Sequence, residues 1–452
     1  MPHESLPAYF GLPEHVTYCT RCVMSNQRPC SYPEFKHTKD RRTPTMHVDA
    51  EGVCDACRYA ETKERIDWDD RERQLQALLD RYRSNDGSYD CLVPGSGGKD
   101  SIYAAHLLKY KYGMHPLTCT WPPIMYTDIG RQNYLNWCDI GGFDNVTFKQ
   151  NGRAMKLLTR LSIENLLHPF QTFILGQKNL APKLALKFGI PLVFYGENEA
   201  EYGNPIADNN QSLRDKSYHT MSDISKLHLA GVSVPELIER YQIPLVDLMT
   251  YLPAEHTLYD RQQIDVHYLG YYVKWTPQEA YYYSVEHSGF QANPVRTEGT
   301  YSKYNSLDDK IDGFHYYTTY IKFGLGRASY DASQEIRNRH LTREEAVALV
   351  RRFDGEFPAR YFQEIMDFIG MKPDDFHALC DKFRSPHLWV CEQGNWRLRH
   401  PIWQQSTPVD AEHGAVPGDQ RHADGAADGV AKAAAATGAV IQAESAANRN
   451  AA

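Results

Sequence analysis

The segment Pro94-Gly95-Ser96-Gly97-Gly98-Lys99-Asp100-Ser101, directly behind the apolar run Tyr89-Asp90-Cys91-Leu92-Val93, constrains this chain more than any other stretch. An apolar strand that runs through glycines into a helix makes a socket for phosphates. Glycines let backbone N–H groups close around phosphate oxygens, and the helix N-terminus adds the positive end of its dipole. From Ile102 to Lys109 apolar residues recur at helical spacing with lysine near the end, so the loop opens a helix. A Walker A loop needs Ser or Thr after the lysine and a glycine six residues before it. Asp100 and Val93 hold those places. The loop is of another kind.

Ser96-Gly97-Gly98-x-Asp100-Ser101 resembles the PP-loop of the ATP pyrophosphatase superfamily, matched at every defined position. The resemblance implies cleavage of ATP between its α- and β-phosphates, with pyrophosphate released and AMP left on the substrate's oxygen. It implies an α/β fold of the adenine nucleotide alpha hydrolase kind, a Rossmann-like parallel sheet with helices on both faces. The pattern around the loop agrees with that class. An amphipathic helix is predicted over 67–83, with strands at 115–120, 145–148 and 191–195. Helices are predicted near 132–140 and at 155–166 and 170–188 between them. Alternation of short apolar strands with helices argues a parallel sheet, and such sheets bind ligands at the carboxyl ends of their strands. That rule gathers Ser96, Gly97, Gly98, Lys99, Asp100, Ser101, Thr120, Trp121 and Gly196-Glu197 around one crevice.

Cys19-Thr20-Arg21-Cys22 and Cys54-Asp55-Ala56-Cys57 are two knuckles, each able to present two thiolates to one ion. Together they complete a tetrahedral, closed and hence structural zinc site, and the polar, proline-bearing interval reads as a looped-out excursion. The chain has 10 cysteines and no basic-then-apolar leader, which fits a reducing compartment and a cytoplasmic protein. No stretch reaches the length of a membrane span. A net charge of −8 does not favour nucleic acid as a partner. Cys91, Cys119 and Cys138 fall in or beside predicted core elements and read as packing.

Asp100 is the residue to give to magnesium, because a carboxylate at a phosphate loop otherwise repels ATP. Lys99 and the loop amides can hold the pyrophosphate half. Past the fourth strand, Gly196-Glu197-Asn198-Glu199-Ala200-Glu201 offers three carboxylates, as second magnesium ligands, as a base, or simply as a solvated acidic loop. Glu197 is best placed, immediately after the strand and a glycine. Downstream, Lys322-Phe323-Gly324-Leu325-Gly326-Arg327 carries two cations among glycines. Superfamily members often add a downstream lysine that clamps pyrophosphate; Lys322 and Arg327 match that role in type and glycine context, while an ordinary surface role stays open. The tyrosines between 271 and 304 could stack on a sugar or base, or pack with one polar end. Further helices are predicted at 309–323, 342–352, 358–368 and 373–383.

The ordered set narrows the resemblance. Tyr18 to Met24, Gly52 to Cys57, Ser96 to Ser101, Tyr126-Thr127-Asp128-Ile129-Gly130, His168-Pro169-Phe170-Gln171 and Tyr195 to Glu199 are similar to the N-acetyl sugar amidotransferase family of the WbpG/PseA type. The likeness runs from about residue 18 to 383. It implies adenylation of the acetamido oxygen of a surface-polysaccharide sugar, such as a lipopolysaccharide O-antigen precursor, and replacement of that oxygen by ammonia. It also implies ATP, Mg²⁺ and Zn²⁺ as cofactors. Pro2 excludes an N-terminal cysteine nucleophile, and no Gly-x-Cys-x-Gly elbow is present. Ammonia is therefore expected from a separate glutaminase with a barrel-type channelling partner. A tRNA-thiolating PP-loop enzyme and a non-catalytic ATP-binding scaffold are the alternative readings. The expected division is 1–66 zinc-ribbon-like, 67–209 the PP-loop core, 210–340 a tyrosine-rich substrate region completing the ATP site, 341–400 helical, and 401–452 a disordered Ala/Gly-rich tail.

Overall fold

The computed structural model describes residues 6–38, 44–202, 204 and 211–405. Five parallel strands form its central sheet: β1 (Cys91–Pro94), β2 (Pro116–Thr120), β3 (Asn145–Thr147), β4 (Leu192–Tyr195) and β5 (Asp265–Tyr268). Their order is β3-β2-β1-β4-β5, so the chain moves outward in one direction up to β3 and then returns to the other side of β1. The carboxyl ends of β1 and β4 thus flank a topological switch point.

Strand residues alternate between two apolar cores, as a period of two requires. Leu92 and Val193 pack into one core with Leu175 and Ala181 of a long helix, Gln171–Phe188. Cys91, Val93, Leu192 and Phe194 face the other, with Ile102, Ala104 and Ala105 of α1 (Lys99–His106). Both faces of the sheet are therefore covered by helix, which is why β1 and β4 are almost wholly apolar. Helix α1 continues as a π-helical turn, Leu107–Lys111. Helix α2 (Asp128–Asp139) starts on Thr127, whose Oγ1 accepts from Gly130 N at 3.0 Å. Cys91 and Cys119 are buried in these cores, and Cys138 is half-buried.

Three features differ from expectation. The sheet is not closed by residue 209, because β5 comes from the tyrosine-rich region, where aromatic residues hid a four-residue strand. The cysteine-bearing segment does not stand apart. Cys19, Cys22, Cys54 and Cys57 share a core with Leu325, and Val23 packs with Ala332, Ala346 and Val350. Those partners lie in or next to α3 (Arg327–Arg337) and α4 (Arg343–Phe353). A hairpin, β6 (Trp389–Glu392) and β7 (Asn395–Leu398), follows the last long helix. Packing then extends past the expected boundary at 401, since Ile402 is buried with Val23 and Ala346. The remainder of the expected tail, 406–452, lies outside the described residues.

Candidate active site

The glycine loop is shaped by close backbone approach. Gly95 N donates to Cys119 O at 2.9 Å, which ties the loop's first residue to the end of β2. Gly97 has φ +84°, and a Cβ there would stand 2.6 Å from Tyr134 Cα and 2.7 Å from Tyr134 N. Only glycine fits both the left-handed backbone and the contact with α2. Gly98 is the extended cap of α1, and its carbonyl accepts from Ile102 N at 3.1 Å. Ser101 Oγ donates to the same carbonyl at 2.9 Å.

Lys99 and Asp100 occupy the first turn of α1. Lys99 Nζ lies 2.5 Å from Asp100 Oδ2, and Trp275 Nε1 donates to Asp100 Oδ1 at 3.0 Å. Asp100 is thus held by an indole from the segment that follows β5. Two adjoining cavities, of about 480 and 520 Å³, open on this turn. Both are lined by Ser96, Gly98, Asp100, Glu197 and Tyr202. Gly97, Lys99 and Arg327 face the first; Ser101, Trp121 and Tyr195 face the second.

Glu197 sits at the carboxyl end of β4, where Tyr202 donates its hydroxyl to Oε2. Burial, then the neighbouring charge of Asp100, pushes the Glu197 carboxyl up to about 8. A second acidic group stands across the first cavity. Burial raises the pKa of Asp308, while the nearby Ser96 hydroxyl favours its charged form. Asp309 is pushed up to about 7 by burial despite backbone N–H bonds from Ile311, Ile124 and Met125. Asp312 is raised further by burial and the charges of Asp308 and Asp309. A pocket whose carboxylates oppose one another's ionisation can receive a divalent cation or protons.

Of the site residues expected from sequence, Ser96, Gly97, Gly98, Lys99, Asp100, Ser101, Trp121, Glu197 and Arg327 are brought together. Thr120 is not. It is buried at the end of β2, where its hydroxyl accepts from Asn145 Nδ2 at 3.0 Å. Lys322 is not brought to the loop either, which corrects the clamp role expected of it. Its ammonium donates to Leu166 O at 2.9 Å among Phe10, Phe323 and Phe383, lining a third cavity. Burial pushes its pKa down to about 8. The glycine context of Lys322 is that of a helix end, since Gly324 with φ +69° terminates Asp312–Phe323. Among the three loop carboxylates, Glu201 is engaged elsewhere, 2.5 Å from the buried Lys63 ammonium. Nothing in sequence singled out Trp275, Tyr202 or Asp308, although the tyrosine-rich and acidic runs contained them. Most of those tyrosines pack: Tyr271, Tyr272, Tyr281 and Tyr283 line the second core.

The four cysteines meet the geometry of a zinc site. Cys19 Sγ lies 3.9 Å from Cys57 Sγ, and Cys22 Sγ 3.7 Å from Cys54 Sγ. Zinc–sulfur bonds of about 2.3 Å at tetrahedral angles give sulfur–sulfur edges of roughly 3.8 Å. Arg21 N and Cys54 N both approach Cys19 Sγ at 3.4 Å, the N–H to thiolate contacts expected around a ligating sulfur. Among the described residues these four make the group of three or more ligating side chains whose donor atoms converge, and all are buried. The residues fit a structural zinc.

Fold and site together define an α/β protein with a glycine-loop cavity at the switch point of a parallel sheet and a buried four-cysteine cluster able to hold a metal ion. Residues 298–401 match the family described as LPS biosynthesis protein WbpG-like, C-terminal domain. A comparison with curated proteins gave no match. Asp308, Asp312 and Arg327 belong to the matched segment and line the loop's cavity. Among the described residues no helix is long and apolar enough to cross a membrane.

Proposed function

We propose that this chain is the synthetase component of an N-acetyl sugar amidotransferase, acting on the acetamido group of a surface-polysaccharide sugar with ATP and ammonia. One observation supports the reading above the others: the WbpG-like segment and the glycine loop line one cavity, with Asp308 and Ser96 both in its lining. Lys99 and the loop amides hold the β- and γ-phosphates of ATP at the start of α1. Asp100 and Glu197 are the donor set for Mg²⁺, which supplies charge neutralisation for the triphosphate when bound. The amide oxygen attacks the α-phosphorus; a P–O bond forms, the bond to the β-phosphate bridge breaks, and pyrophosphate leaves. Ammonia adds to the activated carbon, the C–O bond breaks, AMP leaves, and the nitrogen gives up protons to leave an acetamidino group. Glu197, when ionised and not engaged by the metal, stands where it could accept one of those protons. The protein's work is alignment of the oxygen with phosphorus and stabilisation of charge on the leaving group. In the same reading, ammonia comes from a separate glutaminase through a barrel-type partner.

The test is to incubate the chain with ATP, Mg²⁺, ammonium and a panel of acetamido sugars. Sugar-dependent AMP and pyrophosphate formation, with an amidine seen by mass spectrometry, is the expected result. Glutamine should substitute only when a glutaminase is added. AMP formation dependent on tRNA and indifferent to sugar would overturn the proposal.

A further inference from the structure

In the cavity beside the glycine loop three buried donor atoms, Arg28 Nη1, Gln334 Nε2 and Arg337 Nε, have no acceptor, although Asp308, Asp309 and Asp312 stand elsewhere in its lining. Arg28 lines both cavities and is 6% exposed, yet its Nη1 has no hydrogen-bond partner. Its guanidinium lies over the Tyr330 ring, 5.3 Å from the centroid, and no carboxylate pairs with it among the described residues. Gln334 and Arg337 line the first cavity from α3, and Gln334 Nε2 and Arg337 Nε are likewise buried without partners. Tyr330, Gln334 and Arg337 follow one another at four- and three-residue spacing, so they share one face of the helix. Arg337 Nη2 is satisfied by Glu201 O at 2.9 Å, and Cys22, Cys54 and Cys57 lie near it. Arg28 has no comparable anion.

A buried cation without a counter-charge is costly, and buried donors are normally satisfied. Three such donors on one cavity wall call for an oxygen-rich anion. We infer that Arg28, with Gln334 and Arg337, forms a subsite for a phosphoryl group of a bound substrate, built where the zinc-binding segment meets α3. Arg28 would then be the cation that the N-terminal segment delivers into the cavity, a role that Lys322 does not reach. The phosphoryl group can belong to ATP or to a nucleotide-linked sugar. The subsite rests on the proposed function only for that choice of carrier.

Equilibrium binding to the full chain separates the sources, with three probes: inorganic pyrophosphate, ATP, and a nucleoside-diphosphate N-acetylhexosamine. Arg28→Gln should retain its metal content and melting temperature and weaken at least one probe by roughly 30-fold or more, the scale of removing one partner from a buried charge pair. Arg28→Lys, which keeps the charge, should lose less. Loss confined to pyrophosphate and ATP assigns the subsite to ATP; loss confined to the nucleotide sugar assigns it to the acceptor. All three affinities within twofold of the parent overturn the inference, as does a parent protein that binds none of the probes. These readouts require no turnover, so failure of amidine formation leaves them intact.

Discussion

Replacing Gly97 by alanine tests whether the loop's shape is set by sterics, and a control elsewhere in the chain isolates the effect. At Gly97 the backbone has φ +84°, and an added Cβ would meet Tyr134 Cα at 2.6 Å, Tyr134 N at 2.7 Å and Asn133 O at 2.8 Å. All three are backbone atoms of α2, which is anchored by Thr127 at its start and by the fully buried Trp137. The helix cannot yield cheaply, so the loop must. A comfortable contact lies near 3.5–4.0 Å, and relief therefore needs a shift of roughly 1 Å. The left-handed conformation costs an L-residue about 1–2 kcal/mol. Overpacking adds about 1–3 kcal/mol. Gly87 has φ +82° with nothing within 4 Å of where a Cβ would stand, so Gly87→Ala incurs the first cost alone. Urea unfolding should show Gly97→Ala less stable than Gly87→Ala by about 1–3 kcal/mol. Calorimetry should show weaker pyrophosphate binding in Gly97→Ala only. Equal losses in the two variants, or a Gly97→Ala protein with full stability and full pyrophosphate affinity, would refute the steric reasoning.

Two further outcomes follow from the site. Glu197 has a folded-state pKa of about 8, above its ordinary 4.5, so its stabilising share is complete below about pH 4.5 and is lost as pH rises to about 8. Glu197→Gln removes that loss and should gain on the order of 2 kcal/mol relative to the parent between pH 5 and 8, after discounting for the cavity's solvent, in urea titrations at several pH values; parallel profiles would refute it. Cys22→Ser should lose bound zinc and fold poorly, because a structural zinc contributes roughly 10–16 kcal/mol; elemental analysis of the parent should give about one zinc per chain, and unchanged melting after chelation would refute the assignment.

The parts of this protein that depend on neighbours in sequence are legible in the amino-acid order alone. Gly95 to Ser101 behind an apolar run reads as strand, loop and helix because each part carries its own local signal. The paired cysteines are legible because metal ligation restricts residue type and spacing. Long-range placement is not. Asp265–Tyr268 is too short, and too mixed in character, to stand out among tyrosines as the fifth strand. Lys322, two residues before Gly324, looks like a cation beside a flexible loop, whereas that glycine ends a helix and the lysine turns into an aromatic pocket. Arg28 and Trp275 carry no signal at all, since one arginine or one tryptophan is informative only once its surroundings are known.

The way the WbpG-like segment is attached explains why the site cannot be assigned to one stretch of chain. Asp309 accepts from Ile124 N at 2.6 Å and from Met125 N at 3.2 Å, and Lys310 N donates to Met125 O at 2.8 Å. Thr127 caps α2 while its hydroxyl donates to Leu307 O at 2.5 Å. Gly130 leaves room for Asp308, whose Cα would collide with any Cβ there. Each of these bonds joins the loop after β2 to residues 307–310, within the segment 298–401. Asp308 can reach Ser96 because that seam fixes it, and Trp275 can reach Asp100 because β5 has already extended the sheet beside β4. The glycine loop therefore supplies the backbone geometry of the cavity, while segments far away in sequence supply the charges that surround it.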